Sequence, residues 1–106
     1  MGELEQIIFE IITYAGEGKG YAYEALYAAE KGEYDKVDGL FKQSDQAFLK
    51  AHKVQTNLIQ KEAGGEKTEV SLLMVHAQDQ LMSAMESRTL LERMVILHKK
   101  IDGKLD

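Results

Sequence analysis

Apolar residues recur at helical spacing along three long stretches, and only two short glycine-marked breaks separate them. That rhythm is the strongest constraint on what this chain can fold into. In the first stretch Leu4, Ile7, Ile8, Ile11, Ile12 and Ala15 fall at the i, i+3, i+4, i+7 spacing of one helix face. The stripe resumes with Ala22, Ala25, Leu26 and Ala29, and Lys31-Gly32 closes it with a cation and then a glycine. The second stretch runs from about Tyr34 to Glu62, with Val37, Leu40, Phe41, Ala47, Phe48, Ala51, Leu58 and Ile59 as its buried stripe. Ala63-Gly64-Gly65 ends it, because two successive glycines cannot usefully extend a helix. Thr68, with Glu69 behind it, reads as the N-cap and dipole-favoured first turn of a third helix.

The third stretch carries more apolar surface than one buried face needs. Val70, Leu73, Met74, Ala77, Leu81, Ala84 and Leu91 make one stripe, and Leu72, Val75, Met82, Met85, Leu90, Leu97 and Ile101 make much of another. A helix at the edge of a bundle needs a single stripe. The surplus predicts burial on two sides, once within the chain and once against another subunit. Helices over about 3–31, 34–63 and 69–102, each roughly 45 Å long at 1.5 Å per residue, joined by short connections, predict antiparallel neighbours. The expected fold is all-α: one domain over residues 1–106, an up-down-up bundle that assembles into an oligomer.

Composition narrows the function classes. No proline interrupts the 106 residues, and no cysteine is present, which excludes disulfides, thiolate metal sites and cysteine nucleophiles. A net charge of −5 gives no electrostatic footprint for nucleic acid and disfavours an anionic membrane face. No stretch has the ~18 uninterrupted apolar residues of a membrane span. The start Met1-Gly2-Glu3-Leu4-Glu5 lacks the basic beginning and apolar core of a signal peptide, so the cytoplasm is the expected location.

Few residues offer chemistry. Gly16-Glu17-Gly18-Lys19-Gly20 has neither the spacing nor the preceding strand of a phosphate-binding loop, and reads as glycines that loosen the first helix near Gly18. Ala29-Glu30-Lys31-Gly32-Glu33-Tyr34-Asp35-Lys36 resembles the turn of a tetratricopeptide-type hairpin, which would suit a helical interaction scaffold, but such arrays need several copies. No helix carries a His-Glu-x-x-His zinc motif or the ligand set of a di-iron bundle. The constellation that looks like a site is Val75-His76-Ala77-Gln78-Asp79-Gln80-Leu81-Met82, a polar run in the middle of the most apolar helix. Asp79 and Gln80 are i+3 and i+4 from His76 and share its neighbourhood. From pattern alone, the run is either a polar seam that fixes an oligomer's register or a chemical site. His52 reads as a boundary residue that would enter the same groove if the second and third helices lie side by side. His98 suits a helix C-terminus.

The run from Leu72 to Met82, with His76-Ala77-Gln78-Asp79 at its centre, resembles the signature of the lactose/cellobiose/chitobiose-type enzyme IIA proteins of the bacterial sugar phosphotransferase system. Phe9 to Gly16, Tyr23 to Leu26, Ala28 to Gly32, Ala51-His52, Gln55-Thr56 and Glu62-Ala63 agree with the same family in order and spacing, so the similarity covers nearly the whole chain. The resemblance implies a homotrimer of three-helix bundles. It implies that His76 accepts phosphate from the carrier HPr and passes it to a cysteine of enzyme IIB, which phosphorylates a β-linked disaccharide during uptake. Val75-His76-Ala77 is nearer the cellobiose and chitobiose branch. It also implies that three copies of Asp79 meet on the trimer axis around a divalent metal, and an all-oxygen site of that kind suits magnesium or calcium better than zinc.

Histidine fits the relay chemistry, since neutral imidazole is nucleophilic near pH 7 and phosphoimidazole keeps a high transfer potential. Phosphoryl transfer then needs positioning and donors to the phosphate oxygens, for which Gln80 and His52 are candidates. Where the family often places a second histidine, this chain has Gln80, which can donate a hydrogen bond but carries no charge. That departure is the motive for the alternative reading, a homologue that keeps the assembly and does not relay phosphate.

Overall fold

A computed structural model describes residues 2–104 and places them in three helices: α1 (Glu3–Glu30), α2 (Val37–Ala63) and α3 (Leu72–Ile101). A single 3-10 turn, Tyr34–Lys36, leads into α2, and no strand occurs among the described residues. The result is a rod 54 Å long and 25 by 20 Å across.

The helices begin and end for local reasons. Glu3 and Glu5 put negative charge at the positive end of α1. At its other end the Glu33 N–H reaches the Ala28 carbonyl and the Gly32 N–H reaches Ala29, with Gly32 at φ +78°. This pairing satisfies carbonyls that a stopped helix leaves free, and its left-handed residue is where a β-carbon costs most. α2 stops the same way, through Gly65 at φ +99° and the Glu66 N–H to the Lys61 carbonyl. α3 closes through the Lys104 N–H to the Lys99 carbonyl, with His98, Lys99 and Lys100 in its last turn.

Two expectations are corrected. α3 starts at Leu72, three residues later than the pattern predicts, because Ser71 and not Thr68 is the cap: its Oγ accepts the Met74 N–H at 3.1 Å. Val70 therefore lies exposed in the linker. The glycine cluster does not loosen α1, which is continuous through Gly16, Gly18 and Gly20. Gly18 is buried because the Phe48 ring lies on it, and the buried Ser44 hydroxyl donates to its carbonyl at 2.6 Å.

Packing is uneven. α1 packs along both other helices, whereas α2 and α3 meet each other little. Its alanines, Ala15, Ala22, Ala25 and Ala29, are buried and let the neighbours approach closely. Ile8, Ile11 and Leu81 fill one end of the core, and Leu26, Val37 and Val95 the other. The predicted inner stripe of α3 is buried at Met74, Ala77, Leu81, Ala84 and Leu91. Its second stripe is bare: Leu72 is 86% exposed, Met82 67% and Leu97 57%. Ile59, predicted to be buried, is exposed as well. Helical spacing marks an apolar face and cannot tell which molecule covers it.

Candidate functional site

The polar run starts with His76 in the second turn of α3, where the helix turns its inner stripe to α1. Ala77 and Leu81 are buried there, so the residues between them are sorted by angle. His76, Asp79 and Gln80 are all exposed. Ser83, one turn later, donates to Asp79 Oδ1 at 3.4 Å, and among the described residues the other carboxylate oxygen has no partner. Gln78 points the opposite way. It is partly buried, accepts the amide of Gln55 from α2, and lies 3.9 Å from the Met74 sulfur through its own amide.

Residues two apart on a helix point roughly 200° apart. His76 and Gln80, each two residues from Gln78, therefore face away from α2. The chain does not bring His76 and His52 together. His52 instead lines an open groove between α2 and α3 with Phe48, Gln55, Met82, Met85 and Glu86, a space of about 530 Å³.

Two polar links bracket that groove. Gln55 to Gln78 closes one end. At the other, Arg88 Nε and Nη2 hold Asp45 at 2.8 and 3.1 Å, while Nη1 bonds Glu92. The guanidinium lies 4.7 Å over the Phe41 ring, so its planar face is covered and its edge is paired. Burial alone would disfavour its charge, but the bonds to Asp45 and Glu92 hold its pKa above the ordinary arginine value. Sequence reading missed both links. The available signals were an arginine at the stripe position after Leu81 and Ala84, which meets Asp45 of α2, and a glutamine at 78, which meets Gln55 of α2.

Among the described residues no three His, Cys, Asp or Glu side chains gather to hold a metal within one chain. Asp79 contributes one carboxylate from a face flanked by Leu72, Leu90 and Leu97, all exposed. A cation there would need carboxylates from further chains, and the free oxygen of Asp79 fits a hard cation. His98 is partly buried in the last turn of α3, where a positive side chain suits the helix end. Among the described residues no helix is long and apolar enough to cross a membrane.

The comparisons with known proteins agree with one another. The model of the lactose/cellobiose-specific IIA subunit of the PTS system matches residues 6–99. The lichenan-specific phosphotransferase enzyme IIA component of Bacillus subtilis (strain 168) is 48% identical over 99 residues, 93% of this chain and 90% of its own length. The N,N'-diacetylchitobiose-specific EIIA component of Escherichia coli (strain K12) is 40% identical over 99 residues, 93% of this chain and 85% of its own. Among solved structures, the PTS cellobiose-specific enzyme IIA from Bacillus anthracis superposes with a TM-score of 0.94 at 41% identity, covering 99% of this chain and 96% of that one. The IIA component in the Escherichia coli IIA(chitobiose)–HPr complex gives 0.84 at 38% identity, over 96% and 99%.

Proposed function

The chain belongs to the lactose/cellobiose-specific IIA family of the sugar phosphotransferase system, and from that premise we propose that it relays phosphate on His76. One ring nitrogen of His76 attacks the phosphorus of phosphohistidine on HPr. The new phosphorus–nitrogen bond forms as the old one breaks, and the HPr imidazole leaves with the electron pair. A cysteine thiolate of enzyme IIB then attacks the same phosphorus and releases His76 unchanged. The phosphate ends on an imported β-linked disaccharide of the cellobiose, chitobiose and lactose class. All of this happens in the cytoplasm, on a protein that inserts in no membrane.

The observation that carries the reading is the position of His76: exposed, in the second turn of a helix whose outer face also leaves Leu72, Val75, Met82 and Leu90 bare. Chemistry and partner access explain a bare histidine there better than packing does. A relative of this chain has been solved in complex with HPr, which supports the same donor here.

The assembly is a homotrimer of up-down-up bundles with α3 on the axis. Three copies of Leu72, Leu90 and Leu97 then leave water together, which supplies the burial that the single chain lacks. Three copies of Asp79 come to the axis within that apolar lining, and a divalent cation, magnesium by its preference for carboxylate oxygen, offsets their repulsion. Its part is structural. Gln80 supports the second reading, a homologue that assembles and does not relay, because it puts a neutral amide where the family often has a second imidazole.

Onward transfer separates the two. The phosphorylated chain, mixed with its enzyme IIB partner, should lose acid-labile label as cysteine-bound label appears. Label that stays on the chain contradicts the relay.

A further inference from the structure

Nothing in the chain covers the outer face of α1. At about 100° per residue, Phe9, Gly16, Gly20 and Tyr27 fall within about 20° of one line along the helix, opposite the buried Ile11, Gly18, Ala25 and Ala29. Both aromatic rings on that line are bare, Phe9 at 42% and Tyr27 at 51%, and Tyr27 pairs with Tyr23 at 6.1 Å between ring centroids. A β-carbon at Gly16 or Gly20 would meet nothing within the chain, so each glycine gives up helix propensity with no internal contact to offset it. What the two missing side chains do provide is close access to the α1 backbone from outside.

A row of charge runs beside the aromatic line. Glu3, Glu10, Glu17 and Glu24 recur at every seventh position, all four exposed, about 10 Å apart. A heptad row drifts only about 20° per repeat, so the four carboxylates edge one side of the line along the helix. None of them is in an ion pair among the described residues, where the pairs are Lys36 with Glu33 and Arg88 with Asp45 and Glu92. Glu10 also lines the groove between α1 and α2 with Ile7, Val54 and Leu58, so the row lies on the α2 side of the helix. His76 faces away from α2, and this surface therefore stands apart from it.

The charge selects the occupant. A second copy of the chain is disfavoured. Antiparallel α1 helices would set the glutamate rows against each other, and parallel ones would set each row against Glu5, Lys19 and Glu30, a net negative flank. Nucleic acid and an anionic membrane are repelled. A helix with lysine or arginine at heptad spacing pairs with the row and can rest small side chains on Gly16 and Gly20. Phe9 and Tyr27 then hold it at both ends, packing on its apolar stripe and on its cationic heads. We propose that the outer face of α1 docks a basic amphipathic helix of another protein and leaves His76 free to exchange phosphate while that partner is bound. The docking face itself needs neither the relay nor an oligomer.

The test titrates the isotope-labelled full chain with a helical peptide of about four heptads, lysine at every seventh position beside a stripe of alanine and leucine. Amide signals of Phe9, Gly16, Gly20 and Tyr27 should shift and those around His76 should not. A twin peptide with glutamate in place of lysine should not bind. Glu10→Lys combined with Glu17→Lys, both on exposed positions, should bind the lysine peptide at least about tenfold more weakly, since two attractions become repulsions. Equal binding of the two peptides overturns the proposal, as do shifts spread over every acidic surface of the chain. Displacement of the peptide by unphosphorylated HPr also overturns it, because the face would then belong to the relay. Light scattering should give the same mass for wild type and for Phe9→Ser combined with Tyr27→Ser. A smaller assembly in that variant would mean that the face joins copies of this chain, and the proposal would fall.

Discussion

The Phe48 ring rests on Gly18, so close that a β-carbon on that glycine would stand 2.6 Å from Phe48 Cε1. This contact joins α1 to α2 in the middle of the core, and it explains why one glycine of the Gly16-Glu17-Gly18-Lys19-Gly20 run is buried while its neighbours are exposed. Alanine at Gly18 would gain about 1 kcal/mol in helix propensity and lose about 1–3 kcal/mol to overpacking. Gly18→Ala should therefore lower stability by about 1 kcal/mol. Gly16 and Gly20 have open space at the same position, so Gly16→Ala and Gly20→Ala should each raise it by about 0.5–1 kcal/mol. Urea midpoints decide the matter: a Gly18→Ala variant more stable than the parent contradicts the contact.

Tyr34 ties the turn before α2 to the far end of α3, donating its hydroxyl to Asp102 Oδ2 at 2.5 Å. That bond, with lesser help from burial and the Asp102 charge, pushes the phenol pKa up to about 12 from the ordinary tyrosine value of 10.0. A raised pKa means the folded state holds the proton more tightly. The contribution is complete below pH about 10 and is lost as pH rises toward 12. Thermal midpoints of wild type should fall across that window more steeply than those of Tyr34→Phe. Parallel curves would mean that the bond does not hold in solution.

Gln80 stands where the family often has histidine, and Gln80→His restores a second imidazole one turn from His76. It should raise the rate of phosphorylation from HPr several-fold, the scale of one added charge-assisted donor. Equal rates for the two forms would retire the idea that Gln80 slows the relay.

If Asp79 carboxylates share a cation on the axis, chelation removes an attraction and leaves three negative charges together. EDTA should lower the melting temperature of wild type and leave that of Asp79→Asn unchanged. A wild-type melting curve indifferent to EDTA contradicts the metal.

The three helices were legible because burial periodicity and terminal glycines are local signals. Ile8, Ile11, Ala25 and Leu81 were placed correctly by spacing alone. Thr68 and Ser71 are both good cap types, and only the bond from Met74 marks Ser71 as the one used. Ile59 was assigned to the core for a similar reason: spacing reports an apolar face without its partner. The site was legible as a polar run, but its sorting was not. Gln78 belongs to an α2 contact and His76 does not, which depends on the crossing of two helices that share no sequence signal. The expectation that His52 could enter the groove of His76 fails within the chain for the same reason: His52 lines the groove beside Gln55 and Met82, and His76 faces away from α2.

The central claim is that His76 carries the phosphate. Labelled phosphoenolpyruvate, enzyme I and HPr should transfer acid-labile label to the wild-type chain and none to His76→Ala, with both proteins equally helical by circular dichroism. Label on His76→Ala at the wild-type level would contradict the account, because the phosphate would then sit on another residue.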